Sequence, residues 1–212
     1  MMRWSVIWDY RWILADGLWL SVQLSVLGII GSTVLGATVG CLGTMPSFVA
    51  KRVVLVYVES LRNLPLILKL FFLHFVMGID ALLAGVVALI LHQSAYIADL
   101  TTAGLRSIPP GQTEAAIALG HPRYQLFWYI LAPQAFRAMI PSLITQYVGV
   151  VKNSSVAMLI SLQELTFMTQ KIEHETFRGF EAATAVTIIY VLLTLAIIGT
   201  MTALQRALQR PA

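Results

Sequence analysis

Charged residues are scarce in this chain of 212 residues. Asp, Glu, Lys and Arg together make up 11% of the sequence, while hydrophobic residues make up 58%, and the mean hydropathy is +0.80. In an ordinary soluble domain about a quarter of the residues are charged, so this composition excludes that class. The chain is predicted to be an integral membrane protein.

The motifs of enzymes and metal sites are missing as well. Cys41 is the only cysteine, which excludes a disulfide within the chain. There is no Gly-Lys dipeptide, hence no G-x-x-x-x-G-K-[ST] phosphate loop, and no G-x-S-x-G nucleophile motif. His174-Glu175 begins like the zinc motif H-E-x-x-H, but its last position is Arg178. We therefore expect no catalytic centre, metal site or cofactor in this chain, and energy supplied by a partner.

Long apolar segments dominate the sequence instead. Residues 17–50, 81–98 and 182–205 contain no charged residue, and each can cross a bilayer core of roughly 30 Å as a helix. Two further apolar segments contain a few charges. We predict an all-α integral membrane fold with about five transmembrane helices, in a single domain, residues 1–212. The helices are expected at approximately residues 17–44, 53–77, 81–106, 136–162 and 182–206.

A polar insert, residues 107–135, separates the third and fourth predicted spans. A Pro-Pro-Gly sequence ends the preceding segment, so a short helix is predicted to begin at Gln112 or at the following threonine. That helix is expected to end at Gly120, which suits a left-handed C-terminal cap. A second helix is predicted to follow and to be interrupted by Pro133. Such an insert is expected to contact something in water.

Lys and Arg are unevenly distributed between the two sides that five crossings define. Since positive residues near helix ends stay in the cytoplasm, an outer N-terminus, a cytoplasmic C-terminus and a cytoplasmic insert are predicted, with residues 163–181 outside. The inner residues are then Lys51, Arg52, Arg106, Arg123, Arg137, Arg206 and Arg210, and the outer residues are Arg3, Arg11, Lys171 and Arg178.

Small residues recur every four positions in the first predicted helix. They are predicted to form a ridge that lets another helix approach closely, within the subunit or in a second copy. The ridge consists of Gly28, Ser32, Gly36 and Gly40.

Several charged and polar residues lie inside the predicted spans, where a charge costs roughly 2.5 to 3.5 kcal/mol. They are candidates for lining a translocation pathway, beside a break or kink expected at Pro65. The structural alternative is that Glu59 and Arg62 pair with each other or that Arg62 contacts helix ends. The candidates are Glu59, Arg62, Lys69, Lys152, Ser154 and Ser155.

The insert also has a specific spacing. Glu114-Ala115-Ala116 is followed by Gly120, then by Ile130 and Pro133. This arrangement resembles the EAA motif of the membrane subunits of ABC importers. The amino-acid branch of those permeases is similar along most of the chain, notably at residues 57–66, 131–141, 152–155 and 176–181. The alternative is a plain loop formed by two helix starts.

The resemblance implies that the insert is a cytoplasmic coupling helix held in a groove of an ABC ATPase. It implies as partners a second permease subunit, identical or related, two ATPase subunits that bind ATP and Mg²⁺, and a periplasmic or lipid-anchored amino-acid-binding protein. Membrane lipid surrounds such a complex, and no nucleic-acid partner is expected. The predicted function is ATP-driven import of polar amino acids, glutamate and aspartate among the candidates, across the bacterial inner membrane by alternating access. An ATP-independent channel or facilitator and a membrane scaffold are the alternatives.

Overall fold

The computed structural model describes residues 2–209. Helices form nearly all of this part of the chain, and no strand occurs in it, which confirms the predicted all-α class. In chain order the elements are α1 (Ser5–Asp9), α2 (Arg11–Thr44), α3 (Phe48–Asn63), α4 (Leu66–Phe71), α5 (Ala81–Arg106), α6 (Pro110–Ala118), α7 (Arg123–Gln125), α8 (Ala132–Ser154), α9 (Leu165–Thr176) and α10 (Gly179–Gln209).

Four helical units of the described chain are long and apolar enough to cross a membrane. They are α2, α5, a unit of 38 residues that contains α7 and α8, Arg123–Ile160, and α10 over Gly179–Leu208. The remaining predicted span corresponds to α3, α4 and a shorter apolar segment, Leu66–Val76. The predicted set of about five crossings is thus four long helices and one broken one.

Side-chain contacts fix the directions of the long helices. α2 and α5 run in the same direction, α8 runs opposite to both, and α10 returns along α8. Consequently α6 lies at one end of the bundle and α9 at the other. The contacts are Gly28 with Leu89 and Gly40 with Thr101, Gly104 with Met139 and Gly85 with Ala157, and, for α10, Met201 with the buried cluster that contains Met139, and Tyr190 across a cavity from Lys152.

The second span is interrupted at Leu64 and Pro65, as predicted. Leu64 is extended, with φ −86° and ψ 124°, which is the conformation that a following proline favours. Pro65 has no N–H to continue the hydrogen bonds of α3. Beyond α4 the chain forms a π-helical segment, Phe72–Val76. Instead of one helix over residues 53–77, the structure therefore has two, and the first begins earlier, at Phe48.

Pro133 does not interrupt its helix, contrary to the prediction. The unit Arg123–Ile160 continues through it. Just before it, residues Leu126–Leu131 form a π-helical segment, whose wider hydrogen-bond spacing accommodates a residue without an N–H. α6 likewise begins at Pro110 rather than at Gln112, because proline suits the first position of a helix.

The small-residue ridge of α2 lies against α5. A Cβ atom added at Gly36 would lie 2.7 Å from the Cβ of Ile97, and one added at Gly40 would lie 2.5 Å from the Cβ of Thr101. The two helix backbones therefore approach each other more closely than any side chain would allow. The other members of the ridge, Gly28 and Ser32, are buried as well.

Buried side chains form clusters at different levels of the bundle. One cluster, around Leu24, Ala88 and Ile160, joins α2 and α5 to the 3-10 segment that follows α8. Another, around Leu165 and Ile172, seats α9 against α1, α2 and α10. α9 is therefore packed into the bundle rather than held by a loose connection.

Candidate functional site

The short helix α6 is closed by Gly120. This residue has a φ of 80°, and its N–H donates to the carbonyl of Ile117 at 2.9 Å. The next N–H, of His121, donates to the carbonyl of Ala116 at 3.0 Å. This is a Schellman cap, which requires the left-handed conformation that glycine adopts without strain. Gly120 thus fixes the direction in which the chain leaves α6.

Some of the predicted coupling residues are buried against the bundle, and others are exposed on the surface of the loop. Ala116 is buried, with 2% exposure, and α6 packs on the segment Leu126–Leu131. Glu114 and Ala115 are exposed, as is Pro133, whereas Ile130 is half-buried. The exposed carboxylate is therefore free to meet a group outside the chain.

Large apolar side chains on the same loop are exposed too. Leu119 is 78% exposed and Tyr129 is 77% exposed. Exposed apolar groups that lie together at one end of a molecule indicate an interaction surface. These side chains were not predicted from the sequence as part of the site, although aromatic residues within a polar insert were a visible signal. The others are Ile117, Tyr124 and Trp128.

Arg62 of α3 forms an ion pair with Asp99 of α5, not with Glu59. Its guanidinium also lies 5.0 Å from the centroid of the Tyr96 ring. The two paired side chains are 45% and 48% exposed, so the pair lies on the surface of the single chain, and Glu59 is exposed as well. Asp99 was missed in the sequence, although it directly follows an uncharged span.

Lys69 contacts the end of α3 from within the protein. It is only 7% exposed, and its Nζ donates to the carbonyls of Leu61 at 2.5 Å and Leu64 at 3.0 Å. It also lies 3.0 Å from Nδ1 of His92. The last carbonyls of a helix have no donors within that helix, so Lys69 satisfies the end that the break at Pro65 creates.

Lys152 and Ser155 line a cavity of about 350 Å³, whose opposite wall is α10. That wall contributes hydroxyl groups from Thr187, Tyr190 and Thr194. Ser154 lies on the other side of the helix, where it is fully buried. The charged residues of α3 and α4 do not line this cavity. Within a single chain, the candidate pathway residues therefore lie in two separate places.

A buried carboxylate adjoins the same cavity through Tyr190. Glu164 is fully buried and accepts hydrogen bonds from the hydroxyls of Tyr190 at 2.6 Å and Ser21 at 3.1 Å. The N–H groups of Thr166 and Phe167 donate to it at 2.9 and 3.0 Å. Burial raises the pKa of Glu164, and these hydrogen bonds oppose the rise. The network joins α2, α9 and α10, and it could not be predicted from local sequence patterns because its members lie far apart along the chain.

These features define a class of protein. A helical membrane bundle with an open cavity between two spans, lined by one lysine, several hydroxyl side chains and two valines, and with an exposed helix at one end, has the features of a membrane transport component that docks a partner in water. Within residues 2–209, no group of His, Cys, Asp and Glu side chains is suited to hold a metal ion. The chain belongs to the family of binding-protein-dependent transport system inner membrane components, whose family model matches residues 18–210.

Individual relatives are similar over nearly the whole chain. The glutamine transport system permease protein GlnP of Escherichia coli K12 is 32% identical over 213 residues, which cover 97% of each chain. The glutamate/aspartate import permease protein GltJ of the same organism is 28% identical over 214 residues, 92% of this chain and 87% of that one. A crystal structure of an amino acid ABC transporter with histidines has a TM-score of 0.87 at 27% identity, covering 98% of this chain and 99% of the other.

Proposed function

We propose that this chain is the permease subunit of an ATP-driven importer of polar amino acids in the bacterial inner membrane. The family description supports the membrane and the dependence on a binding protein, and the similar solved structure is an amino acid ABC transporter. The relative named for glutamine is more similar than the one named for glutamate and aspartate, 32% against 28% identity. An uncharged, amide-bearing amino acid is therefore favoured over an acidic one.

The observation on which this proposal rests is the exposed, glycine-capped helix α6 at one end of the bundle. Glu114 is the group that meets a basic side chain in the groove of an ABC ATPase, and the exposed Ile117 and Leu119 add apolar contact. ATP and Mg²⁺ are bound and used on that partner. The glycine at position 120 keeps α6 at a fixed angle to α8, so that movement of the partner moves the span.

Substrate passes between two permease subunits, identical or related. In one chain the cavity beside Lys152 is open and the Arg62–Asp99 pair is half exposed. Facing subunits would enclose both, which is how charged groups at membrane depth are kept from lipid. Lys152 supplies a cation for the α-carboxylate of any amino acid. The hydroxyl oxygens of Thr187 and Thr194, which donate their own protons to carbonyls of α10, accept hydrogen bonds from the α-ammonium group. Alternating access then requires α8 and α10 to move relative to the second subunit.

The orientation follows from charge. The end of the bundle that holds α6 also holds Lys51, Arg52, Arg106, Arg123 and Arg137, and positive residues favour the cytoplasmic side. We therefore propose that α6 and the C-terminus face the cytoplasm and that α1 and α9 lie outside. Arg210, counted on the inner side, lies outside the described residues.

The proposal is tested by co-purification of the ATPase encoded with this chain. Glu114→Ala removes the charged contact, and Gly120→Val forces a β-branched residue into a left-handed conformation. Both variants are expected to insert into the membrane and to lose the ATPase and amino-acid uptake. Gly111→Val is the matched control, because Gly111 lies in the same helix, has open space around it and has an ordinary φ.

Two results would contradict the proposal. One is full uptake by the Glu114→Ala variant with normal ATPase binding. The other is amino-acid flux through the purified chain alone in vesicles without ATP, which would establish the channel or facilitator instead.

A further inference from the structure

The turn between α9 and α10 presents Phe177 in an unusual way. Its backbone is left-handed, with φ 58° and ψ 29°, and its side chain is 91% exposed. The left-handed conformation is unfavourable for a residue with a Cβ atom, and glycine or asparagine usually occupies such a cap. At this exposure the ring gains almost no packing within the chain. Its presence is explained by a contact outside the chain.

The turn holds Phe177 firmly. The N–H of Phe177 donates to the carbonyl of Glu173 at 2.8 Å, and the N–H of Arg178 donates to the hydroxyl of Thr176 at 3.2 Å. Gly179 packs so closely on Glu173 that an added Cβ would lie 2.7 Å from its Cδ. Because α9 itself is seated in a buried cluster, the ring stands on a rigid base and needs little ordering when it binds.

The surroundings of the ring have the composition of a binding hot spot. Phe180, on the first turn of α10, is 61% exposed. Charged side chains of both signs lie on the same elements: Glu173 and Glu175 on the last turn of α9 are exposed, and Lys171 and Arg178 are partly exposed. An apolar anchor with a charged rim is typical of the residues that dominate protein–protein affinity.

We propose that Phe177, with Phe180 on the next turn, is the anchor on which the soluble substrate-binding protein docks, its ring entering an apolar pocket of that protein. This rests on the proposed function. The turn lies at the end of the bundle opposite α6, where the ATPase does not reach, and the family depends on a binding protein.

The test measures binding between the complete transporter and the soluble binding protein encoded beside it, loaded with the amino acid that most raises its melting temperature. Phe177→Gly removes the ring and at the same time relieves the left-handed backbone. The dissociation constant is expected to rise at least tenfold, while the unfolding temperature of the transporter stays the same or rises. Phe177→Trp, which keeps an aromatic ring, is expected to bind within about threefold of the wild type. Phe48→Gly is the control, since Phe48 is 73% exposed at the other end of the bundle.

Each other outcome overturns the proposal. Unchanged affinity of Phe177→Gly shows that the ring is not the anchor. A loss of affinity with a lower unfolding temperature shows a structural role, and a loss seen in bilayers but not in detergent shows that the ring acts through lipid. If the wild-type chain binds no ATPase, the proposed function itself fails, which co-purification distinguishes from all of these.

Discussion

Lys69 offers the most direct test of how the broken span is held together. Replacing Lys69 by Met keeps the length and apolar stem but removes the donor to the carbonyls of Leu61 and Leu64. Two hydrogen bonds from a charged donor contribute about 1.5 to 3 kcal/mol each, so about 6 kcal/mol is the upper limit of the loss. Removing a buried ammonium returns roughly 3 kcal/mol. The net loss is expected to be about 2 kcal/mol, which weakens the closed state of the break roughly 30-fold.

Hydrogen–deuterium exchange of the peptide that spans the break measures this loss. Local opening controls amide exchange, so amides between residues 60 and 72 should exchange roughly 30-fold faster in Lys69→Met, with little change in α8. Lys152→Met is the matched control, because Lys152 is an exposed cation in another span. Protection of the break that equals that of the wild type, or an equal loss in the control, would refute the capping role of Lys69.

Other predictions concern the ridge and the buried carboxylate. Gly36→Leu is expected to prevent α2 from packing on α5, since a Cβ atom added there would lie 2.7 Å from Ile97 Cβ and from the Ser94 carbonyl oxygen. The yield of folded protein on size-exclusion chromatography measures this effect. Gly199→Ala is the control and should behave as wild type, because Gly199 has open space around it. Because the folded-state pKa of Glu164 is raised, its protonation stabilises the fold, and this contribution is lost as pH rises through that pKa. The unfolding temperature should therefore fall as pH rises from the unfolded-state pKa of Glu164 to its higher folded-state pKa. Glu164→Gln should reduce this dependence of the unfolding temperature on pH, whereas Glu175→Gln should leave it unchanged.

The spans and the end of α6 could be predicted from the sequence because their causes are local. An uncharged run long enough to cross a bilayer has few alternatives, and Gly120 four residues after Ala116 is a cap whatever surrounds it. The effects of the two prolines on their helices could not be predicted in the same way. Pro65 breaks its helix, while Pro133 does not, because the π-helical segment before it shifts the hydrogen bonds. Whether a neighbouring turn widens in this way depends on packing, which periodicity does not reveal.

The partners of the charged residues could not be predicted for a similar reason. Arg62 had an acid three residues away on its own helix, yet it pairs with Asp99, 37 residues along the chain. Lys69 was expected to line a pathway, and its Nζ instead contacts backbone carbonyls. In both cases the deciding neighbour comes from the folding of α3 and α4 onto α5. A charge within a predicted span indicated residues with a specific role. Only the structure distinguishes a pathway candidate such as Lys152 from a helix cap such as Lys69.

The helical unit Arg123–Ile160 links the two ends of the molecule that interact with water. Its 38 residues measure about 57 Å at 1.5 Å per residue, enough to reach from the α6 loop to the α9 end. Its irregular segments lie near its two ends, π-helical at Leu126–Leu131 and 3-10 at Ser155–Ile160, while the α-helix between them, which contains Pro141, packs on α5 and α10. We therefore expect a displacement of α6 by the proposed ATPase to reach Lys152 and the segment before Glu164 through this single helical unit. Alternation between inward and outward states then requires no separate relay between the loop and the outer turn.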